Sequence, residues 1–461
     1  MPARREGILA LLAPRDATYA VALPAHSSGA LASGGDNSVI DAEITTLDSG
    51  LRVVTTPIPT AQAASIAFFV GIGSRGEQPE TNGLSHYIEH MLFKGTTRRP
   101  SAPDISEAIE GAGGQLNAYT SREVTCYWNN LPFEELATGI DVVADMLQHS
   151  VLDPEEIDRE RTVVQQELRR SHDNPAAWVG ELLGNAVFGD QPVGWPVGGS
   201  LETVEGMQRD AFIAHMQRFY TASNAVLSVS GNVEHARVVE LANEHFTSLD
   251  GGEAPAAPDA REGLPEERVI IEEREIEQTN LVMATQCFGR RDPDRYALDV
   301  MNTVLGRGMS SRLFKEVRER RGLAYSVSSG VSRLRDIGTL AVSAGVTREH
   351  EEEALEVIVA ELQRLVDEPV EPAELQRALD YVAGSMRLSQ ETARAVGQRY
   401  GNQLLMDGEL ETIEQTVEAI RAITATDVQA VAERVIGPRQ YALAVVGPSA
   451  SADRLDSILV A

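Results

Sequence analysis

The chain has 461 residues, which is enough for two to four domains with buried cores. It carries 40 Lys and Arg residues against 69 Asp and Glu residues, a formal net charge of −29. This charge argues against nucleic acid or an anionic membrane surface as a partner. It suits basic peptides, although solubility alone also explains it. There is no run of 18 apolar residues, so the sequence predicts no membrane-spanning helix.

The beginning of the chain shows no sign of a folded domain. Residues 24–37 are rich in Ser, Gly and Ala, so we predict a flexible tail over residues 1–41. The apolar run before Pro14 is only about six residues long, which is short for the apolar core of a signal peptide. We therefore expect a cytoplasmic protein, and an exported form stays open.

The segment Leu84–Phe93 contains two histidines four residues apart and a glutamate just before the second. On a helix, positions i and i+4 share one face, so His86 and His90 can reach the same ion. Glu89 projects beside them. A zinc hydrolase needs nitrogen ligands, an open position for water and a carboxylate that takes the proton of that water. The order His-x-x-Glu-His is itself a known hydrolase signature.

The residues around this motif favour a helix. The polar run that ends at Gly83 predicts the helix start, and Gly95 predicts its end. A plain amphipathic helix with surface or core histidines is the alternative, and the two histidines alone do not decide between the two. Catalytic zinc sites usually have three protein ligands and a water, so a third ligand is required.

A helix further along the chain offers candidates for that ligand. Asp153, Pro154 and the acidic residues that follow predict a helix start. Glu160 and Glu167 are seven residues apart and therefore share one face of this helix. Either glutamate alone is expected in solvent. The choice between a zinc ligand and a solvated surface residue therefore depends on an internal repeat.

Parts of the chain recur at a nearly constant distance. The strand-like segment 224–231 recurs at 440–447, in the second half of the chain. The helix start at Asp153-Pro154 recurs at Glu371-Pro372, with almost the same offset. A repeat of this kind predicts two similar domains in tandem. Strand-like segments mix with long amphipathic helices, so the predicted fold class is α+β.

The second copy lacks every residue of the predicted zinc site. At the repeat distance, Glu160 and Glu167 correspond to Ala378 and Ser385. The counterpart of the histidine helix, residues 292–306, contains neither His nor Glu. A solvated helix face would not need to lose these residues as a set. This comparison favours Glu167 as the third ligand and Glu160 as a supporting carboxylate.

The composition also indicates where the domains meet. A polar stretch rich in Pro and Gly begins at Asp250, and strand-like alternation resumes at Arg268. Four segments are therefore predicted. They are a tail over 1–41, a zinc-binding domain over 42–249, a linker over 250–267 and a second domain without zinc ligands over 268–461.

Cys126 and Cys287, the only cysteines, lie in different halves, so no disulfide framework is indicated. Both fall in strand-like segments, where a lone thiol is most often a small core residue. Cysteine protease chemistry would need a histidine partner that the sequence does not suggest.

From about Ala42 onwards, the chain resembles the pitrilysin-like M16 metallopeptidases, and among them the mitochondrial processing peptidase and its bacterial relatives. The resemblance rests on His86, Glu89 and His90, followed at a long separation by Glu167, and on Phe93-Lys94-Gly95-Thr96. It implies that one Zn²⁺ per chain is bound by the two histidines and Glu167. Glu89 would then be the general base, and Glu160 would be the family's supporting glutamate.

The resemblance also implies an architecture and a way of binding substrate. Two α/β-sandwich domains of the LuxS/MPP-like type would form a clam-shell around a central peptide-binding cavity. The segment that contains Asn117 and Ala118 resembles the family's edge strand, whose unpaired backbone groups pair with an extended peptide. Arg318 and Tyr325 resemble the family's Arg/Tyr pair, which holds the substrate near the scissile carbonyl. Taken alone, these two residues are better explained as a surface cation and a packing aromatic, and the zinc motif together with the repeat favours the functional interpretation.

The sequence thus predicts a zinc-dependent endopeptidase that hydrolyses extended peptides or presequence-like segments. Family analogy further implies a homodimer. Two alternatives stay open, namely a non-catalytic subunit of the same fold and a zinc hydrolase of another substrate class, such as an amidase. The physiological substrate is not identified, and another divalent ion could take the place of zinc.

Overall fold

A computed structural model describes residues 42–249 and 251–460. The tail predicted over residues 1–41 lies outside the described residues. The elements of the first half, in chain order, are β1 (Glu43–Thr46), β2 (Arg52–Pro57), β3 (Ala63–Val70), α1 (Leu84–Met91), α2 (Ala102–Glu110), β4 (Gln115–Thr120), β5 (Thr125–Pro132), α3 (Leu136–His149), α4 (Pro154–Asp173), α5 (Pro175–Phe188), α6 (Leu201–Gly206), α7 (Arg209–Phe219), β6 (Ala225–Gly231) and α8 (His235–His245).

The second half repeats this order of strands and helices. Its elements are β7 (Val269–Glu272), β8 (Thr279–Phe288), α9 (Arg295–Gly306), a π-helical segment (Phe314–Arg320), β9 (Ala324–Arg333), β10 (Ile337–Val346), α10 (Glu351–Asp367), α11 (Pro372–Leu388), α12 (Ala393–Asp407), α13 (Ile413–Arg421), α14 (Ala425–Val435), β11 (Ala442–Val446) and α15 (Ala452–Val460).

Two mixed sheets form the centres of the two halves. The first has the strand order β1-β2-β6-β3-β5-β4 and the second has the order β7-β11-β8-β10-β9. In each sheet one pair is parallel, β2 with β6 and β7 with β11, and the other pairs are antiparallel. Apart from β1, the two topologies are the same. The predicted tandem repeat and the α+β class are confirmed, whereas the exact domain boundaries and the clam-shell cavity stay predictions.

Both faces of the first sheet are buried. Along β3, Ile66, Phe68 and Val70 enter the core beneath the helices of the same half, because side chains alternate between the faces of a strand. Phe69 between them enters a separate apolar cluster with Tyr400 of α12. The first sheet therefore packs between its own helices and a helix that belongs to the second half.

The two halves exchange these covering helices. Helix α12 packs on β3 and β6 of the first sheet, and α5 packs on β8 and β11 of the second. Small residues permit a close approach, since a Cβ at Gly401 would overlap the ring of Phe69. The Ser228 hydroxyl donates to the carbonyl oxygen of Gly397 at 2.7 Å, which fixes α12 on the sheet. The exchange makes the two halves one packed unit.

The remaining predictions about the fold concern thiols and membrane spans. Cys126 and Cys287 are buried and form no disulfide, as predicted. Among residues 42–249 and 251–460, no helix is both long and apolar enough to cross a membrane. The cytoplasmic location stays a prediction.

Gly401→Ala tests the close packing of α12. The added methyl group meets Phe69 and Ser228, so we expect a loss of about 1–3 kcal/mol in the free energy of unfolding. Gly384 on α11 has open space around it, and Gly384→Ala is the matched control, expected to gain about 0.5–1 kcal/mol. Urea unfolding followed by circular dichroism measures both variants. Equal midpoints would mean that α12 does not pack as described.

Candidate metal centre

Helix α1, which carries both histidines, is anchored at its start by a buried carboxylate. Gly83 precedes the helix with φ of 97° and has no side chain to cap it. Glu77 caps the helix instead, because its carboxylate accepts hydrogen bonds from the backbone N–H of Gly83 at 2.7 Å and of Ser85 at 2.6 Å. Burial raises the pKa of Glu77, and these hydrogen bonds oppose that shift. Glu77 thus fixes the direction in which the histidine helix leaves the loop.

The apolar side of α1 holds the helix on the core of the first half. Leu84, Ile88 and Met91 are buried there. Tyr87 packs edge-on against Phe212, and its hydroxyl donates to the carbonyl oxygen of Ile157 in α4. These contacts press α1 against α4 and leave the polar side of α1 facing outward.

The end of α1 differs from the prediction. The helix ends at Met91, four residues before Gly95. The N–H groups of Phe93 and Lys94 donate to the carbonyl oxygens of His90 and Met91, respectively, and so form two turns. Gly95 then has φ of 143°. Gly95 therefore marks the end of these turns, and the prediction that it ends the helix was wrong.

Helix α4 begins at Pro154 as predicted. The Asp153 carboxylate accepts from the N–H of Glu155 at 2.9 Å, which caps the helix. Its buried side continues through Glu160 and Val164. The same side reaches Glu167 at the edge of the packed region, where the Glu167 side chain is 49% exposed.

Three candidate ligand atoms come together where α1 and α4 meet. The Nε2 atoms of His86 and His90 are 3.3 Å apart. Oε2 of Glu167 lies 3.3 Å from Nε2 of His90 and 3.6 Å from Nε2 of His86. Zinc bonds of about 2.0–2.2 Å in a tetrahedron require ligand atoms about 3.3–3.6 Å apart. The triangle therefore has the dimensions of a zinc site, and its exposed side leaves a position for water. Within the described ranges, no other three His, Cys, Asp or Glu side chains converge in this way.

Glu160 lies behind the triangle and contacts the opposite nitrogen of His90. Its Oε1 is 2.8 Å from Nδ1 of His90, and Nζ of Lys94 lies 2.5 Å from its Oε2. Burial raises the pKa of the Glu160 carboxyl, but the hydrogen bonds from His90 and Lys94 outweigh it and hold the pKa below its usual value. An ionised Glu160 orients the imidazole with Nε2 towards the triangle, as carboxylates do behind metal-bound histidines.

Glu89 lies on the same helix as the histidines and is held from the neighbouring sheet. Its Oε2 accepts a hydrogen bond of 2.6 Å from the hydroxyl of Thr120, the last residue of β4. Strand β4 forms one edge of the first sheet, and its outer side pairs with no other strand in the described part of the chain. The hydrogen bond therefore joins the histidine helix to a strand with an open edge.

Asn117 and Ala118 lie on this edge strand. Oδ1 of Asn117 accepts from the N–H of Ala118 at 2.8 Å. Asn117 is exposed and Ala118 is half-buried. Both residues are therefore where an added peptide strand would contact the sheet.

Arg318 and Tyr325 come together in the second half. The guanidinium carbon of Arg318 lies 5.5 Å from the centre of the Tyr325 ring and 5.0 Å from that of Phe314. Tyr325 is 79% exposed on β9, the edge strand of the second sheet that corresponds to β4 of the first. The described side-chain contacts of this pair stay within the second half.

Three residues of the site were missed by the sequence analysis. Lys94 follows His90 by four residues, and Thr120 follows Ala118 by two, so helix and strand periodicity offered a signal for both. Glu77 offered none, because a cap from a loop six residues upstream follows no periodic pattern.

Comparison with known proteins shows the family. The family model described as "Insulinase (Peptidase family M16)" matches residues 52–200, and the one described as "Peptidase M16 inactive domain" matches residues 206–382. The chain belongs to the M16 peptidase family. The second match agrees with the absence of the zinc-site residues from the second half.

Several relatives are named as zinc proteases without further characterisation. One from Streptomyces coelicolor is 37% identical over 90% of this chain and 91% of that protein. Another from Mycobacterium tuberculosis is 38% identical over 88% of this chain and 93% of that protein. YmxG of Bacillus subtilis is 34% identical over 88% of this chain and 98% of that protein.

Solved structures share the fold at lower sequence identity. A protease from Helicobacter pylori superposes with a TM-score of 0.82 at 23% identity, covering 88% of this chain and 100% of that one. A chain of Complex III2 from Candida albicans superposes with a TM-score of 0.79 at 19% identity, covering 90% and 99%. At these identities the superpositions show the shared fold alone, and a fold does not decide whether a chain is catalytic.

The charge state of His90 predicts how metal binding depends on pH. Burial lowers the pKa of His90, but the hydrogen bonds to Glu160 and Glu167 outweigh it and raise the pKa to about 9. Below that pH, a metal ion must therefore displace a proton from His90 in order to bind. We expect the zinc affinity of the metal-free protein to rise about tenfold per pH unit between pH 6 and 8. Competition with a chelator at a series of pH values measures the slope.

Glu160→Gln is the comparison variant for this titration. It removes the carboxylate that raises the pKa of His90, so the rise in affinity should level off at a lower pH than in the wild type. A wild-type affinity that stays constant from pH 6 to 8 would contradict the assigned charge state.

Proposed function

We propose that the chain is a zinc-dependent endopeptidase that hydrolyses extended peptides, including presequence-like segments. The observation that carries the proposal is the ligand triangle of His86, His90 and Glu167, with Glu89 on the histidine helix and bound to the end of the edge strand β4. The family membership and the zinc-protease names of the relatives support it.

The proposed chemistry divides between the metal and the chain. One Zn²⁺ per chain would supply a Lewis acid that polarises the scissile carbonyl and acidifies water. Glu89 takes the proton of the attacking water and passes it to the leaving amine. Glu160 keeps the His90 imidazole in the orientation that ligation requires.

Strand β4 supplies the binding site in this proposal. An extended peptide adds to its outer edge and pairs with the backbone around Asn117 and Ala118. The formal charge of −29 favours basic peptides through long-range attraction. The expected absence of nucleic-acid and membrane partners rests on this charge alone.

Glu89→Gln tests the proposed base. The amide cannot accept the proton, so cleavage of a quenched peptide library should fall by about 10²–10⁴-fold with zinc content unchanged. Glu107→Gln on the exposed side of α2 is the matched control and should keep full activity. Full activity in Glu89→Gln would refute the assignment. Bound zinc without cleavage of any peptide by the wild type would favour the non-catalytic subunit.

We further propose that Arg318 and Tyr325 steady the peptide and that the protein is a homodimer. Tyr325 is exposed on the edge strand of the second sheet and the exposed Arg318 lies beside its ring, which supports a role in contacting another chain or a substrate. Sedimentation equilibrium should give twice the 49.9 kDa chain mass. A monomer would refute the proposed homodimer.

Tyr325→Phe should raise KM for peptides. An unchanged KM would refute the proposed contact between Tyr325 and the peptide.

A further inference from the structure

The general base proposed above is held by a residue outside the zinc motif. The hydroxyl of Thr120 donates to Oε2 of Glu89 at 2.6 Å, which is a short hydrogen bond between two side chains. The two residues belong to different elements, β4 and α1, so this hydrogen bond joins the sheet to the histidine helix.

The position of Thr120 follows from the pleat of β4. Leu116 and Ala118 pack against the core beneath α1. Thr120 is the next residue on that side, because alternate side chains of a strand share a face. Its neighbour Tyr119 turns to the opposite face and packs on the cluster below α12. The backbone of β4 therefore sets the direction of the Thr120 hydroxyl.

Strand β4 is also the strand on which the proposed function places the peptide. Along its inner side β4 pairs with β5 in register from Gln115↔Asn130 to Thr120↔Thr125, and its outer side is the edge proposed for the peptide. A shift of β4 on peptide binding would move the donor that holds Glu89. A glutamate side chain has several rotamers, and a base misplaced by about 1 Å costs about 10²-fold in rate.

We propose that Thr120 is a positioning residue that holds Glu89 in line with the ligand triangle and couples its orientation to the docking of a peptide on β4. The inference rests on the proposed function in one respect, the role of Glu89 as the base. It requires no contact between Thr120 and the substrate or the metal.

Two substitutions of Thr120 distinguish the effect of its hydroxyl group from the effect of its side-chain shape. Thr120→Val keeps the volume and removes the donor, so kcat should fall about 10–100-fold while KM and zinc content stay unchanged. Thr120→Ser keeps the donor and should restore most of kcat. Thr138→Val removes another threonine hydroxyl that donates to a glutamate, Glu135 at 2.9 Å, and as the matched control should leave kcat unchanged.

A double-mutant cycle tests whether Thr120 acts through Glu89. In the Glu89→Gln background, Thr120→Val should cost nothing further, because the group that it positions is already gone. A full additional loss would overturn the proposal. So would equal losses in the Val and Ser variants, or a change confined to KM.

Crystal structures of wild type and Thr120→Val provide a readout that does not depend on activity. The proposal predicts that the Glu89 carboxylate leaves its position beside the triangle in the variant. An unmoved carboxylate would overturn it. If the wild type cleaves no peptide, the proposed function fails, and the position of Glu89 in these structures still decides the role of Thr120.

Discussion

The contact between α1 and α4 is the interaction on which the candidate site depends. Glu167 lies far along the chain from the two histidines, and the packing of these helices alone makes them neighbours. Helix α1 has only eight residues, which is too short to be stable by itself in water. The cap from Glu77, the buried apolar side and the hydrogen bond from Tyr87 to α4 together fix it. The ligand triangle follows from that docking.

The exchange of α5 and α12 between the two halves supports the contact between α1 and α4. Each sheet has its own helices on one face and a helix of the other half on the opposite face. The ligands lie on helices, and Thr120, which donates to Glu89, lies on a strand, so none of these residues itself lies in a loop. Sites built on regular elements are held more accurately than sites on loops, which suits a base that must meet a water at a defined point.

The sequence was sufficient for the features that follow a period or a repeat. The spacing of His86 and His90 predicted a shared helix face, and the losses at Ala378 and Ser385 singled out Glu160 and Glu167. The structure brings all four candidates together, while their roles stay proposals. The repeat also predicted two similar domains, which the matching strand orders confirm.

Other features could not be predicted, for physical reasons. An apolar helix stripe shows that α5 and α12 must be covered, but it does not identify which sheet covers them. Glu77 caps α1 from a loop, through a contact that no periodic pattern encodes. The end of α1 was misplaced at Gly95, because a glycine signals a left-handed residue and cannot distinguish a helix end from a later turn.

A crystal structure of zinc-loaded Glu89→Gln with a bound peptide, recorded at the zinc absorption edge, tests the central claim most directly. The account predicts one anomalous peak per chain within bonding distance of His86, His90 and Glu167. It also predicts the peptide as an added strand along the outer edge of β4, with a carbonyl facing the metal. Zinc bound elsewhere, or a peptide that avoids β4, would contradict the account.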